Sequence, residues 1–260
     1  MKRYISIWVR LASMTSQQAF LSRSGALIFI IGKILRFTFF FLFLILLGSR
    51  TKVIVGYSLW QMIFFYVTFN VVDTSAQFFL REVYRFRSYI VSGTFDYTLS
   101  KPFSPLFRSL FGGSDLTDLL IFVVSILFVF IASKNLPHVN FFGVVEYIFL
   151  LLNAFVIALA FHITTLSLGV LTTEVDNTIM VYRDVTQMGR VPVDVYQNPL
   201  RSLITFAVPV GIMMTFPAKA FMGLLSPWFV ILSLCLGGAF LYFSLRFWQF
   251  SLLRYSSASS

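Results

Sequence analysis

Apolar residues come in long runs broken at a few places, and the runs have the length of bilayer crossings. A helix rises about 1.5 Å per residue, so about 20 apolar residues cross about 30 Å of hydrocarbon. Residues 25–47, 53–72, 116–132 and 141–171 meet or approach that length. Residues 228–245 make a fifth run, closed by Arg246, Phe247 and Trp248, the basic and aromatic pairing of a membrane interface. The first run carries Lys33 and Arg36, which are expected to snorkel back to the interface along their apolar stems. The fourth run is longer than a straight crossing needs, and Glu146 near its start is expected at a wet end.

Two further segments decide the topology. Residues 203–216 would make a helix of only about 21 Å, with Pro209 in its middle and Pro199 and Pro217 near its ends. Such a segment suits a hairpin that enters and leaves on one side, with its loosened backbone groups buried in protein. Residues 174–190 have mixed polarity, but at 100° per residue Asp176, Arg183, Gln187 and Arg190 share one stripe beside a face of Val175, Ile179, Tyr182 and Val185. If 203–216 is re-entrant, this amphipathic helix must itself cross, its stripe facing protein or water. If 203–216 spans, the striped helix lies in the cytoplasm. At the start of the chain Lys2, Arg3, Ser6, Arg10, Ser13 and Gln17 oppose Tyr4, Ile7, Trp8, Leu11 and Met14, the pattern of a helix lying flat as an anchor in the interface. Without a continuous apolar core and a small-residue cleavage position, this stretch is expected to be retained in the mature protein.

The composition fits a membrane solvent: 58% of residues are apolar, 33 are Phe, and only 12% are charged, against about 25% charged in soluble domains. The formal charge of +10 would suggest nucleic acid in a soluble protein; here it marks anchored loops, and no nucleic-acid partner is expected. With the N-terminus inside, Lys2, Arg3, Arg10, Arg23, the five basic residues of the 81–114 loop, Arg246 and Arg254 are cytoplasmic, whereas outer loops carry Arg50, Lys52, Lys134 and Lys219. Either treatment of 203–216 returns the C-terminus to the cytoplasm. Cys235 is alone, His138 and His162 are far apart, and neither a zinc spacing nor a Lys-bearing phosphate loop occurs. His162 reads as a packed histidine. No catalytic residue, metal or cofactor is therefore assigned to this chain.

Residues 81–114 are the one long hydrophilic interruption, and they are basic: Arg81, Arg85, Arg87, Lys101 and Arg108 against Glu82 and Asp96. After a helical run at 77–91, Gly93 can end the helix, and Pro102 and Pro105 stiffen the return to the membrane. At Gly93, Asp96, Leu99, Lys101-Pro102 and Pro105-Leu106 the chain resembles the permease subunits of type-2 ATP-binding-cassette exporters, the ABC-2 family, in its daunorubicin-type multidrug branch. The likeness continues in Arg190-Val191-Pro192, Tyr196, Leu200-Arg201, Thr205, Pro209 and Pro217, and in Trp248 with Tyr255-Ser256-Ser257-Ala258. Val191 stands where an aromatic is usual and Ser251 and Ser259 where glycine is usual, which leaves the subfamily open.

The resemblance implies an all-α polytopic membrane protein, one permease domain over residues 1–260. It has six transmembrane helices, an N-terminal interfacial helix, a cytoplasmic coupling helix and a re-entrant extracellular segment, so the striped helix crosses. It implies a second permease, the same or a related chain, and a separate ABC ATPase that uses ATP and Mg. The expected function is ATP-driven export of a small amphipathic or drug-like molecule across a bacterial cell membrane. Glu82, Arg85, Arg87, Gly93 and Asp96 are the expected ATPase-coupling residues, with anionic membrane lipid as their competing partner. Asp176, Arg183 and Gln187 are the expected path residues. The alternative is an ATP-independent channel, or a membrane scaffold whose basic loop binds another soluble partner.

Overall fold

The computed structural model describes residues 2–21, 23–51, 55–137 and 139–256. Lys52, Val53, His138 and the 257–259 ending lie outside these residues, as do the side chains of Lys2 and Arg23. The described residues form helices and no strand. In chain order they are α1 (Lys2–Leu21), α2 (Arg23–Arg50), α3 (Leu59–Leu80), α4 (Phe86–Val91), α5 (Thr94–Leu99), α6 (Pro105–Phe111), α7 (Leu116–Ser133), α8 (Phe141–Thr172) and α9 (Val175–Gln187). A bent pair follows, α10 (Leu200–Ala207) and α11 (Gly211–Phe221), and then α12 (Pro227–Leu253). Among the described residues five helices, beginning at Ser24, Leu59, Leu116, Phe141 and Pro227, are long and apolar enough to cross a membrane.

The second crossing differs from the apolar run 53–72. Gly56 takes a left-handed φ of 84°, and Ser58 and Gln61 cap the helix reciprocally, the Ser58 N–H donating to Gln61 Oε1 at 2.8 Å. The helix therefore starts at Leu59 and continues past Val72 to Leu80, which carries Asp73 into the bundle. This helix is the axis of the fold: 78% of its most apolar stretch is buried against 11% for α2. Around it, α3 packs along α7, and α8 packs along α12. The second contact is close because Gly237 has no side chain: a Cβ there would lie 2.0 Å from Oδ1 of Asn153, whose amide donates to the Ser233 carbonyl at 2.9 Å.

The contacts at the two ends of α3 fix the path of the rest. Its C-terminal end, with the 81–114 loop, is the loop end; its N-terminal end is the hairpin end. Thr173 takes a left-handed φ of 61° and turns the chain from α8 into α9. Asp176, at the start of α9, pairs with Arg87 at 3.0 Å at the loop end. Asp194 accepts from the Tyr57 hydroxyl at 2.8 Å at the hairpin end. The chain from 176 to 194 thus runs the whole length of α3, about 33 Å, as α9 followed by short tight turns. The stretch that carries the striped helix runs from one end of the bundle to the other, with only 13 regular residues.

The bent pair folds back on itself. Its arms meet at 79° around Pro209, and both outer ends return to one carboxylate: Arg201 from the first arm and Lys219 from the second, at 2.6 Å, pair with Asp194. Both arms contain wide turns, at Leu203–Ala207 and Gly211–Thr215, and the second is buried in protein, which is where irregular backbone is tolerated at membrane depth. α2, α3, α7, α8, α9 and α12 therefore alternate in direction, and both described chain ends lie at the loop end. There α1 does more than lie in the interface. Trp8 donates to Ser114 Oγ at 3.0 Å and Tyr4 meets Phe107 edge-on at 4.9 Å, while Ile5, Val9 and Met14 stay exposed.

Burial pushes the Asp194 carboxyl up, but Lys219, Tyr57 and Arg201 outweigh it and hold it below its ordinary value. The stability it contributes is present above the ordinary carboxylate range and is lost only as pH falls through the lowered value, so the hairpin stays tied at neutral pH. In a Cys235→Ser background, single cysteines at the exposed Gln197 and Leu224 are expected to react with an impermeant thiol reagent from one face, and a cysteine at Ser88 from the other. Labelling of Gln197→Cys and Leu224→Cys from opposite faces would show that the bent pair spans.

Candidate functional site

The 81–114 loop is a folded bracket. A tight turn at Arg81–Arg85 leads into α4, Gly93 turns the chain with φ 71°, and α5 follows. Ser104 caps α6, accepting from the Phe107 N–H at 3.3 Å, with Pro105 in the first turn, where its missing N–H costs nothing. The bracket is tied from inside by Glu82, only 1% exposed, which receives Arg108 at 2.6 Å, Arg85 at 3.3 Å and the Tyr89 hydroxyl at 2.8 Å. One carboxylate thereby joins the turn, α4 and α6. Burial and then Glu82 raise the Tyr89 phenol above its ordinary pKa.

This geometry revises Glu82, expected as a contact for an outside partner: its carboxylate is enclosed, so it positions the loop. Arg85 and Arg87 are about half exposed. Gly93 makes the α4–α5 turn. Asp96 lies beside Tyr255; burial and then this carboxylate push the Tyr255 phenol up to about 12. Inside the α4–α5 turn, Phe86 and Phe95 meet at 5.1 Å and rest on Trp248, with Tyr255 5.3 Å from Phe95. Trp248 and Tyr255 of the C-terminal signature thus form one packing unit with the loop. The outer side carries Val91, Tyr97 and Leu99, with Lys101 over the Tyr97 ring at 4.2 Å. Sequence reasoning missed this apolar tip because two helices of six residues each are too short to display a period.

A second constellation lies within the membrane thickness near the loop end. Lys33 pairs with Asp118 at 2.8 Å and donates to Thr117 Oγ1 at 2.6 Å, and Arg36 faces Asp73 at 3.5 Å. Neither relies on snorkelling as expected, because α7 and α3 bring carboxylates to the same depth. Arg81 reaches Gln77 at 3.0 Å and Asp115 at 3.8 Å. Between α2 and α9, Lys33, Arg36, Gln77, Arg81 and Asp118 line an open groove of about 360 Å³ together with Arg183. Of the expected path residues, Arg183 is on the groove, Gln187 is half-buried one turn further along α9 with its Oε1 unpartnered, and Asp176 is at the loop end bound to Arg87. Asp73 escaped the sequence reading because the apolar run was ended at residue 72. His162 is buried, its Nδ1 2.7 Å from the Ala158 carbonyl and its ring against Tyr182.

A family model described as ABC-2 family transporter protein matches residues 34–259. The chain belongs to the ABC-2 transporter family. No curated protein matches it. An ABC-2 permease is the transmembrane component of an ABC transporter, is not itself catalytic, and functions with an ABC ATPase partner. The protein is accordingly a multi-pass membrane permease.

Removing Glu82 takes the hydrogen bonds of Arg108, Arg85 and Tyr89 with it, so Glu82→Ala is expected to cost about 2 kcal/mol and to lower the unfolding temperature of the detergent-solubilised permease. Arg87→Ala, at an exposed pair, is expected to cost about 0.5 kcal/mol or less. Equal unfolding temperatures for the two variants would show that Glu82 does not hold the loop.

Proposed function

We propose that this ABC-2 permease is the moving membrane half of an ATP-driven exporter of small amphipathic or drug-like molecules in a bacterial cell membrane, with the loop end and both termini in the cytoplasm. The orientation rests on charge: Arg3, Arg10, Arg81, Arg85, Arg87, Lys101, Arg108, Arg246 and Arg254 gather at the loop end, against Arg50, Lys134, Arg201 and Lys219 at the other. The permease pairs with a second permease, the same or a related chain. It binds no cofactor, ATP and Mg being used by the ATPase.

The observation that carries the reading is the exposed apolar tip of α4 and α5 on a bracket fixed from behind. Tyr97 is 67% and Val91 62% exposed, a natural anchor for a groove on a soluble partner. Glu82 makes the bracket stiff, Phe95 against Trp248 joins it to α12, and Arg87 against Asp176 joins it to α9. A partner that binds the tip differently in its ATP-closed and open forms shifts these helices by that difference in affinity. The expected coupling residues Arg85, Arg87 and Asp96 then act beside the tip, on charged groups at the partner's rim.

The double variant Tyr97→Ala/Leu99→Ala, exposed in the free permease, is expected to leave folding intact and to abolish copurification of the ATPase expressed with it, along with ATP-dependent transport in proteoliposomes. Full solute flux by the permease alone would sink the exporter reading in favour of a channel.

A further inference from the structure

The groove between α2 and α9 has an electrostatic imbalance that its internal ion pairs leave standing. Lys33, Arg36 and Arg81 each face a carboxylate, Asp118, Asp73 and Asp115 respectively. Arg183 and Arg190 have none within ion-pairing distance among the described residues. Arg183 lies by the Tyr84 ring, and Arg190, deeper, leans on Phe40 and Phe69. Asp73, which already faces Arg36, is the carboxylate that attracts both, so three guanidinium groups share one carboxylate beside an open groove at membrane depth, where the excess positive charge calls for a further partner or water. Guanidinium is the side chain best matched to phosphate and carboxylate, through paired hydrogen bonds.

The wall of the groove is of the opposite character. Ile28 and Phe29 line it from α2, and beyond them Leu27, Ile31 and Leu35 are exposed along the same helix. At Gly32 an added Cβ would meet nothing within 4 Å, so the groove floor is free at that point. A volume of about 360 Å³ holds a compact head, and the apolar side of α2 offers a surface for a chain that leaves it sideways.

We propose that this groove takes the phosphate or carboxylate head of an anionic amphiphile from the leaflet at the loop end, and that anionic amphiphiles are the cargo class of the permease. The assignment rests on the exporter reading above and narrows it, since excess positive charge disfavours the cationic drugs that the many aromatic rings would otherwise suggest. Arg183 holds the head, Arg190 lies behind it, and the Lys33–Asp118 and Arg36–Asp73 pairs hold the wall in place.

The test uses the full-length permease in phosphatidylcholine nanodiscs and a fluorescent-tailed dodecyl phosphate, with binding read by anisotropy. Wild type is expected to bind, Arg183→Gln to bind at least tenfold more weakly, and Arg183→Lys to recover part of the loss. Gly32→Leu, whose Cβ would meet nothing within 4 Å and whose side chain would extend into the groove, is expected to lose binding while keeping its unfolding temperature. Dodecyltrimethylammonium, with the same tail, is expected not to compete. Competition by phosphatidylglycerol in the disc assigns the groove to a bilayer lipid, and its absence to a free amphiphile; both support the proposal. Equal affinity across wild type, Arg183→Gln and Gly32→Leu, or equal competition by the cationic amphiphile, overturns it. Because the assay needs neither ATP nor the ATPase, loss of ATP dependence in transport would refute the exporter reading and leave the binding result standing.

Discussion

A charge brought to the depth of hydrocarbon has to be met by protein, and this requirement arranges more of the permease than apolar burial does. Between helices in lipid there is no hydrophobic driving force, so close contacts and polar links decide which helices adjoin. α2 is the extreme case. It is largely exposed, and Lys33 with Asp118 and Arg36 with Asp73 tie it to α7 and α3. Such pairs add little net stability over apolar contacts, but they specify one depth and one rotation for a helix that is otherwise smooth.

The same economy recurs at each end of the bundle, where one carboxylate gathers three partners. Glu82 collects Arg85, Arg108 and Tyr89; Asp194 collects Tyr57, Arg201 and Lys219. The first makes a bracket out of a long hydrophilic stretch, and the second closes the bent pair on itself. Three donors around one carboxylate leave few lone pairs unmet, which is the condition under which a buried charge is tolerated. Loops built this way resist deformation, because any movement that separates the partners leaves a charge without them.

The class of fold was legible because apolar run length is a direct reading of membrane thickness. The same ruler marked residues 203–216 as a short segment that suits a hairpin but left a span open; the return of both arms to Asp194 is visible only in three dimensions. The site was less legible, for a reason of range. Glu82 sits 26 residues from Arg108 and Lys33 lies 84 from Thr117, and no local period announces such pairings. Snorkelling was the sensible expectation for Lys33 and Arg36 when only their own helix was in view; carboxylates at equal depth on α7 and α3 became visible only in three dimensions. Asp73 was lost with the helix boundary, because the capping box at Ser58 shifts that crossing toward the polar side of the sequence. The stripe on α9 was found by its period, yet Asp176 went to the loop end because α9 starts there.

α9 joins these parts. Arg87 holds its start to the bracket, and the stretch that follows it ends at Asp194, which carries both arms of the hairpin. It is short, polar on one side, and faces α2 across the groove with Arg183 between them. The two walls of that groove are thus anchored differently, α9 by the loop and the hairpin, α2 by ion pairs to α3 and α7. On the proposed exporter reading, a displacement delivered through Arg87 would act on the α9 wall, so that the width of the groove and the reach of Arg183 would change together. A ligand held by Arg183, as proposed, would then have different affinities before and after the displacement, and only such a difference would let energy spent at the loop move a molecule.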